Sequence, residues 1–232
     1  MTLLLGAAIV AWGFGAWAEA RKARLGARLG RLAFYAALLL WVWLQAGEKA
    51  FRGSETSLLG WFIFGLAVLA LSEVLEEWGG VLRRWCAAGV PMAAILFALG
   101  FDVLRPDAYS YVPAALLGLL VLAVAVRAYL RLASGLKRKA PRQAQLGLAL
   151  YVAAVGVMVY AAVFKVIDRG WALPWAYMAA GGALLFGTGQ LWMGWGKLLR
   201  SKTVPGWLRQ AAMDLGVLLM VAAAFFVYEA FL

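Results

Sequence analysis

Histidine is missing from this 232-residue chain, cysteine occurs once, and acidic residues number 11 against 22 Lys and Arg. Without histidine, imidazole ligation of haem, His-containing zinc sites and Ser-His catalysis all drop out together. With Cys86 alone, no intrachain disulfide and no cysteine-rich metal site can form. No cofactor is expected. Charged residues of all kinds make up only 14%, against 66% hydrophobic, and the mean hydropathy is +0.85. That leaves too little polar surface to cover a water-soluble globule. Nor do the apolar residues fall into the short alternating segments of an outer-membrane β-barrel. They form solid runs of the length a membrane-spanning α-helix needs, roughly 17–25 residues.

Eight spans are expected, at about 2–18, 32–47, 57–76, 86–104, 111–132, 145–167, 173–194 and 208–231. The fold class is therefore an all-α polytopic membrane bundle. The run from Thr2 to Trp17 has no basic segment before it and no cleavage site after it, so it reads as the first span and not a removable signal. Connections are short, which favours antiparallel packing of neighbouring helices. Seventeen of the basic residues fall in odd-numbered connections and five in even-numbered ones. By the positive-inside rule the odd connections are cytoplasmic and both termini face outward, in a cell membrane. The net charge of +11 is thus a topology and headgroup signal, and no nucleic-acid partner is expected.

One stretch is written twice. SEVLEEWGGVLR (72–83) returns as GQLWMGWGKLLR (189–200), an offset of 117 positions (190 − 73). At that offset Glu73 falls on Gln190, Trp78 on Trp195, Gly79 on Gly196 and Arg83 on Arg200. The register holds without gaps back to about residue 20, which predicts a 4+4 internal duplication with parallel halves. Residues 1–133 precede a basic linker at 134–144, residues 145–232 follow it, and the second repeat begins at the fifth span near residue 111.

Polar residues deep in apolar helices need a reason, because an ionisable group at mid-bilayer costs roughly 2.5–3.5 kcal/mol. Glu73 follows about sixteen mostly apolar residues and sits one turn inside Trp78, beside Ser72. It reads either as a desolvated functional acid or as an interfacial residue paired with Arg83 or Arg84. Gln190, with Thr188 near it, can orient a water or a lipid carbonyl, or tie two helices together. Glu229 faces the bundle interior or the outer interface. Asp214 reads as an acid favoured near a helix N-terminus, and Lys165, Asp168 and Arg169 as an interfacial charge cluster.

LALYVAAVGVMVYAAV (148–163) followed by GALLFGTGQLWMGWGKLL (182–199) resembles the second half of the YhhN family, the lysoplasmalogenase-like eight-span membrane proteins. GLAVLALSEVL (65–75) is similar to that family's earlier Gly-Leu run, and FFVYEAFL (225–232) to its closing segment. The family's first acidic position matches Glu73, with Ser72 in place of Gly. Its second matches Gln190, an amide, with Gly189 in place of Ser, and its fourth-span histidine has no counterpart.

The resemblance implies hydrolysis of the vinyl ether bond of a lysophospholipid, an activity of lipid metabolism. Glu73 is then the candidate general acid, Gln190 and Thr188 hold the water, Ser72 lies beside them, and Arg83, Arg84 or Lys197 meets the phosphate. Glu229 lines the same candidate substrate site. Membrane lipids are the expected partners. The alternative is a non-catalytic lipid-binding or transport protein that keeps the bundle and has lost the acid pair.

Overall fold

Lipid offers no hydrogen bonds, so each apolar segment must satisfy its own backbone, and the helix does so within one segment. In the computed structural model every long apolar run is an α-helix; the structure describes residues 2–47, 57–78, 82–101, 111–136, 141–167, 173–199 and 204–230. Among these, eight helices occur in the order α1 (Thr2–Ala20), α2 (Arg24–Ala46), α3 (Ser57–Trp78), α4 (Leu82–Gly100), α5 (Tyr111–Ala133), α6 (Arg142–Ile167), α7 (Leu173–Leu198) and α8 (Gly206–Ala230). No strand occurs among the described residues. Among the described residues, five stretches are long and apolar enough to cross a membrane: Leu3–Ala20, Arg24–Ala46, Tyr111–Ala133, Arg142–Ile167 and Gly206–Val227. The protein is a helical membrane bundle.

Helix ends differ from the sequence expectation where arginines are concerned. α2 begins at Arg24, so Arg28 and Arg31 lie inside a helix that was expected to start near residue 32. Arg127 and Arg131 likewise belong to α5 and not to the connection after it. Long guanidinium arms can leave their aliphatic stems on apolar surface while the head finds water or a carboxylate, so an arginine does not end a helix.

Glycines set the closest helix contacts. α1 turns into α2 through Lys22, whose φ is 60°, and the two helices meet at Gly15 and Gly30. A Cβ on Gly30 would stand 2.5 Å from the Gly15 Cα. α7 and α8 meet at Gly182 and Gly216, where a Cβ on Gly216 would stand 2.6 Å from the Gly182 carbonyl oxygen. α3 lies on α4 with Gly65 under the ring of Phe97.

The two ends of the bundle differ in chemistry. Late α2, early α3, late α4, early α7 and late α8 share an aromatic core. Trp41 packs on Phe225 (centroids 4.6 Å apart), Phe62 on Phe97 (5.4 Å) and Phe101 (5.0 Å), and Trp175 on Phe226 (4.5 Å). The opposite end, where α1, α3 and α7 finish and α2, α6 and α8 start, carries the buried Gln190 and Asp214, whereas the buried Lys165 lies in the last turn of α6, at the aromatic end. α5 stands at the edge on α6, its Leu116, Leu119, Leu120 and Leu122 exposed as suits a hydrocarbon environment.

Candidate functional site

Helical spacing builds the polar end. Arg31 and Tyr35 are four residues apart on α2, and Gln210 and Asp214 are four apart on α8, so each pair lies on one helix face. Arg31 reaches two carboxylates on different helices. Its Nε donates to Glu73 on α3 at 3.1 Å, and its Nη1 lies 3.4 Å from Glu19 at the end of α1. The flat guanidinium fork, with donors pointing in different directions, suits Arg31 to serving two carboxylates at once. One turn further along α2, the Tyr35 hydroxyl donates to Asp214 at 2.9 Å, and the Gln210 amide donates to the same oxygen at 3.0 Å.

The four-helix network grades from open to closed. The Glu19 side chain is 37% exposed, Glu73 16% and Arg31 11%, while Tyr35 and Asp214 are 4% exposed. Asp214 lies within electrostatic reach of both Arg31 and Glu73. Three carboxylates therefore surround one guanidinium, with Arg28 engaged in an interaction of its own one turn away. Glu73 has a further interaction besides the Arg31 pair.

Glu73 is thus part of a mostly buried polar centre, where it accepts from Arg31; Arg83 and Arg84, the partners that one reading of the sequence gave it, have side chains outside the described residues. Gln190, 5% exposed, accepts a short hydrogen bond from the Tyr151 hydroxyl on α6. Each of the two residues therefore has its own donor, on α2 for one and on α6 for the other. Thr188 is exposed and its hydroxyl donates back to the carbonyls of Leu184 (2.8 Å) and Leu185 (3.0 Å). Residues two apart on a helix point to different sides, so Thr188 and Gln190 do not hold one water together. Ser72 donates to the Leu69 carbonyl at 2.7 Å and its Cβ faces Gly89 of α4. The side chains of Arg83, Arg84, Lys197 and Glu229 lie outside the described residues, as do Asp168 and Arg169. Lys165 is buried, at 4% exposure, and has an interaction of its own; the rest of the expected charge cluster lies outside the described residues.

Four members of the centre, Glu19, Arg31, Tyr35 and Gln210, were not singled out from sequence. Arg31 was counted with the basic connection, and Tyr35 fell within the expected span at 32–47 without a role of its own. The spacing Arg-x-x-x-Tyr on α2 and Gln-x-x-x-Asp on α8 was the available signal. Asp214 lies two turns into α8 and bonds across to α2, well beyond the first turn where a helix dipole would explain it. Arg209 is also spent internally: it donates to the Val204 carbonyl from Nε (2.9 Å) and Nη2 (2.6 Å) and to the Trp192 carbonyl (3.2 Å).

Among the described residues no three His, Cys, Asp or Glu side chains gather to hold a metal ion. A shallow apolar groove runs along α5, lined by Leu119, Leu122, Ala123, Val126, Arg127 and Leu130, and shares no residue with the polar centre. No protein-family model, no curated protein and no solved structure matches the chain.

Proposed function

We propose that the chain is an integral membrane hydrolase of the lysoplasmalogenase kind, cleaving the vinyl ether bond of a lysophospholipid with Glu73 as general acid. One observation carries this reading: a mostly buried carboxyl, Glu73, shares its site with a second carboxyl, Asp214, and a fixed cation, Arg31. Acid catalysis uses such a pair, because one carboxyl can hold a proton while the other stays charged. Glu73 gives its proton to the β-carbon of the vinyl ether, and the electron pair of the double bond forms the new C–H bond. The resulting oxocarbenium ion is stabilised by the neighbouring carboxylates. Water adds to the α-carbon and returns a proton to Glu73, and the hemiacetal collapses to an aldehyde and a glycerophospho-alcohol. The phosphate lies toward Arg83, Arg84 or Lys197.

The architecture goes with this reading as eight spans in two parallel four-helix repeats, odd connections cytoplasmic. Several contacts support the duplication. Gly65 and Gly182, equivalent in the 117-residue register (182 − 65), each lie under the following helix. Glu73 and Gln190, equivalent too, each accept from the preceding helix, from Arg31 and from Tyr151.

The test is aldehyde release from a lysoplasmalogen by the purified chain, beside Glu73→Gln, at neutral and mildly acidic pH. Loss of a general acid lowers the rate by about 10²–10⁴-fold. Correctly folded wild type that releases no aldehyde with any headgroup rules the hydrolase out. A second reading, non-catalytic lipid binding or transport, is favoured by the separate partners of Glu73 and Gln190. It expects saturable lysophospholipid binding without turnover.

A further inference from the structure

α5 has two unlike faces. Its buried residues are Ala114, Ala128 and Leu132, and Val121 and Ala125 meet Gly156 of α6. Leu119, Leu122, Ala123, Val126, Arg127 and Leu130 recur at helical spacing on the other side and line the shallow groove. At 1.5 Å per residue the groove runs for about 17 Å, from near the middle of the helix toward its basic end. That is close to half of the roughly 30 Å of hydrocarbon, which is the depth of one leaflet and of one acyl chain.

Arg127 breaks the apolar wall. It is exposed and stands short of the end of α5, so its aliphatic arm can carry the guanidinium along the groove toward the interface. Among the described residues no hydrogen bond or ion pair engages it. Arg131, four residues on and also exposed, lies over the Trp195 ring, 5.4 Å from its centroid, a contact that holds the guanidinium without neutralising it. Like charges four apart on a helix repel, so the pair calls for an anion. The protein supplies none nearby. α5 packs on α6 and α7, and none of the three helices contains an Asp or Glu. From residue 108 to residue 167 the chain has seven Lys and Arg and no acid at all. A second copy docked symmetrically on this face would bring two Arg127 side chains together and does not meet the need.

We propose that this face of α5 is a binding site for one anionic phospholipid, with its phosphate on Arg127 and Arg131 and an acyl chain in the groove from Leu119 to Leu130. A guanidinium can hold a phosphate through two N–H donors at once. A zwitterionic headgroup brings its own cation, whereas an anionic one leaves a net charge for the two arginines. The site shares no residue with the Arg31 centre, and the proposal does not rest on the hydrolase reading.

Native mass spectrometry of the purified, delipidated full chain tests it, by counting bound phosphatidylglycerol and phosphatidylcholine of identical chains. Wild type is expected to take one phosphatidylglycerol in clear preference to phosphatidylcholine. Arg127→Gln is expected to weaken phosphatidylglycerol about fivefold, the usual worth of one arginine beside an anionic membrane surface, and to leave phosphatidylcholine unchanged. Ala123→Trp fills the groove and is expected to weaken phosphatidylglycerol with both arginines in place. Arg24→Gln removes an equally exposed charge at the start of α2 and is expected to change nothing. Melting curves check that each variant is folded. Equal losses in Arg127→Gln and Arg24→Gln would reduce the effect to overall charge and overturn the proposal. Phosphatidylcholine bound as tightly as phosphatidylglycerol, or Ala123→Trp binding like wild type, would overturn it too. A lipid-free dimer that Ala123→Trp abolishes would give the face to a second copy instead.

Discussion

Arg31 is the residue on which the polar end of the bundle depends. It is the cation for Glu73 and Glu19, and its field extends to Asp214. A buried ion pair gives little net stability when compared with well-packed apolar residues, but removing one partner strands the other charge. Arg31→Leu is therefore expected to destabilise the protein by about 3–5 kcal/mol, read as a lower melting temperature in detergent. The double variant Arg31→Leu, Glu73→Leu should regain much of that loss, because no carboxylate is then left unpaired at the α2–α3 contact. A single variant as stable as wild type would mean that water reaches Glu73 freely.

At the scale of the helix, most of the fold could be read from sequence, because lipid demands long uninterrupted apolar runs and each run becomes one helix. The eight helices follow those runs. What failed was the rule that a basic residue marks a connection, since Arg28 and Arg31 continue α2 and Arg127 continues α5. The candidate site was legible to the same extent. Glu73 was found because an acid in an apolar run is conspicuous, and Gln190 because it repeats Glu73. Arg31, Tyr35 and Tyr151 were missed because their roles depend on which helix lies opposite, and helical periodicity within one segment says nothing about that.

Close helix contacts provide the element-scale test. Gly216 faces the Gly182 carbonyl, whereas Gly181, one position earlier on α7, has nothing within 4 Å of its would-be Cβ. Gly216→Ala forces α7 and α8 apart and should cost about 1–3 kcal/mol, the usual range for overpacking. Gly181→Ala meets open space and, with alanine the better helix former, should leave the melting temperature unchanged or raised. A Gly216→Ala protein as stable as wild type would show that α8 can slide away from α7 without loss.

At the scale of the whole molecule, the orientation of the polar end decides which compartment the Arg31 centre meets. The apolar stretches of α3 and α4, Leu59–Leu75 and Ala88–Gly100, are shorter than those of the five long helices. At 1.5 Å per residue they reach about 25 and about 20 Å, against about 30 Å of hydrocarbon. The full helices, Ser57–Trp78 and Leu82–Gly100, are 22 and 19 residues, long enough to cross if their polar ends sit at the interfaces. Single cysteines placed in a Cys86→Ser background distinguish a crossing from a re-entrant hairpin. Ser54→Cys lies in the second connection, Gly80→Cys in the third and Ser134→Cys in the fifth. With α3, α4 and α5 all crossing and odd connections inside, a membrane-impermeant maleimide labels Ser54→Cys in intact cells. It labels Gly80→Cys and Ser134→Cys only after permeabilisation. Labelling of Gly80→Cys together with Ser54→Cys in intact cells would make α3 and α4 a hairpin inserted from the outside. Glu73 would then open outward, away from the basic connections that were to receive the phosphate. The reverse pattern at all three positions would keep the spans and invert the orientation.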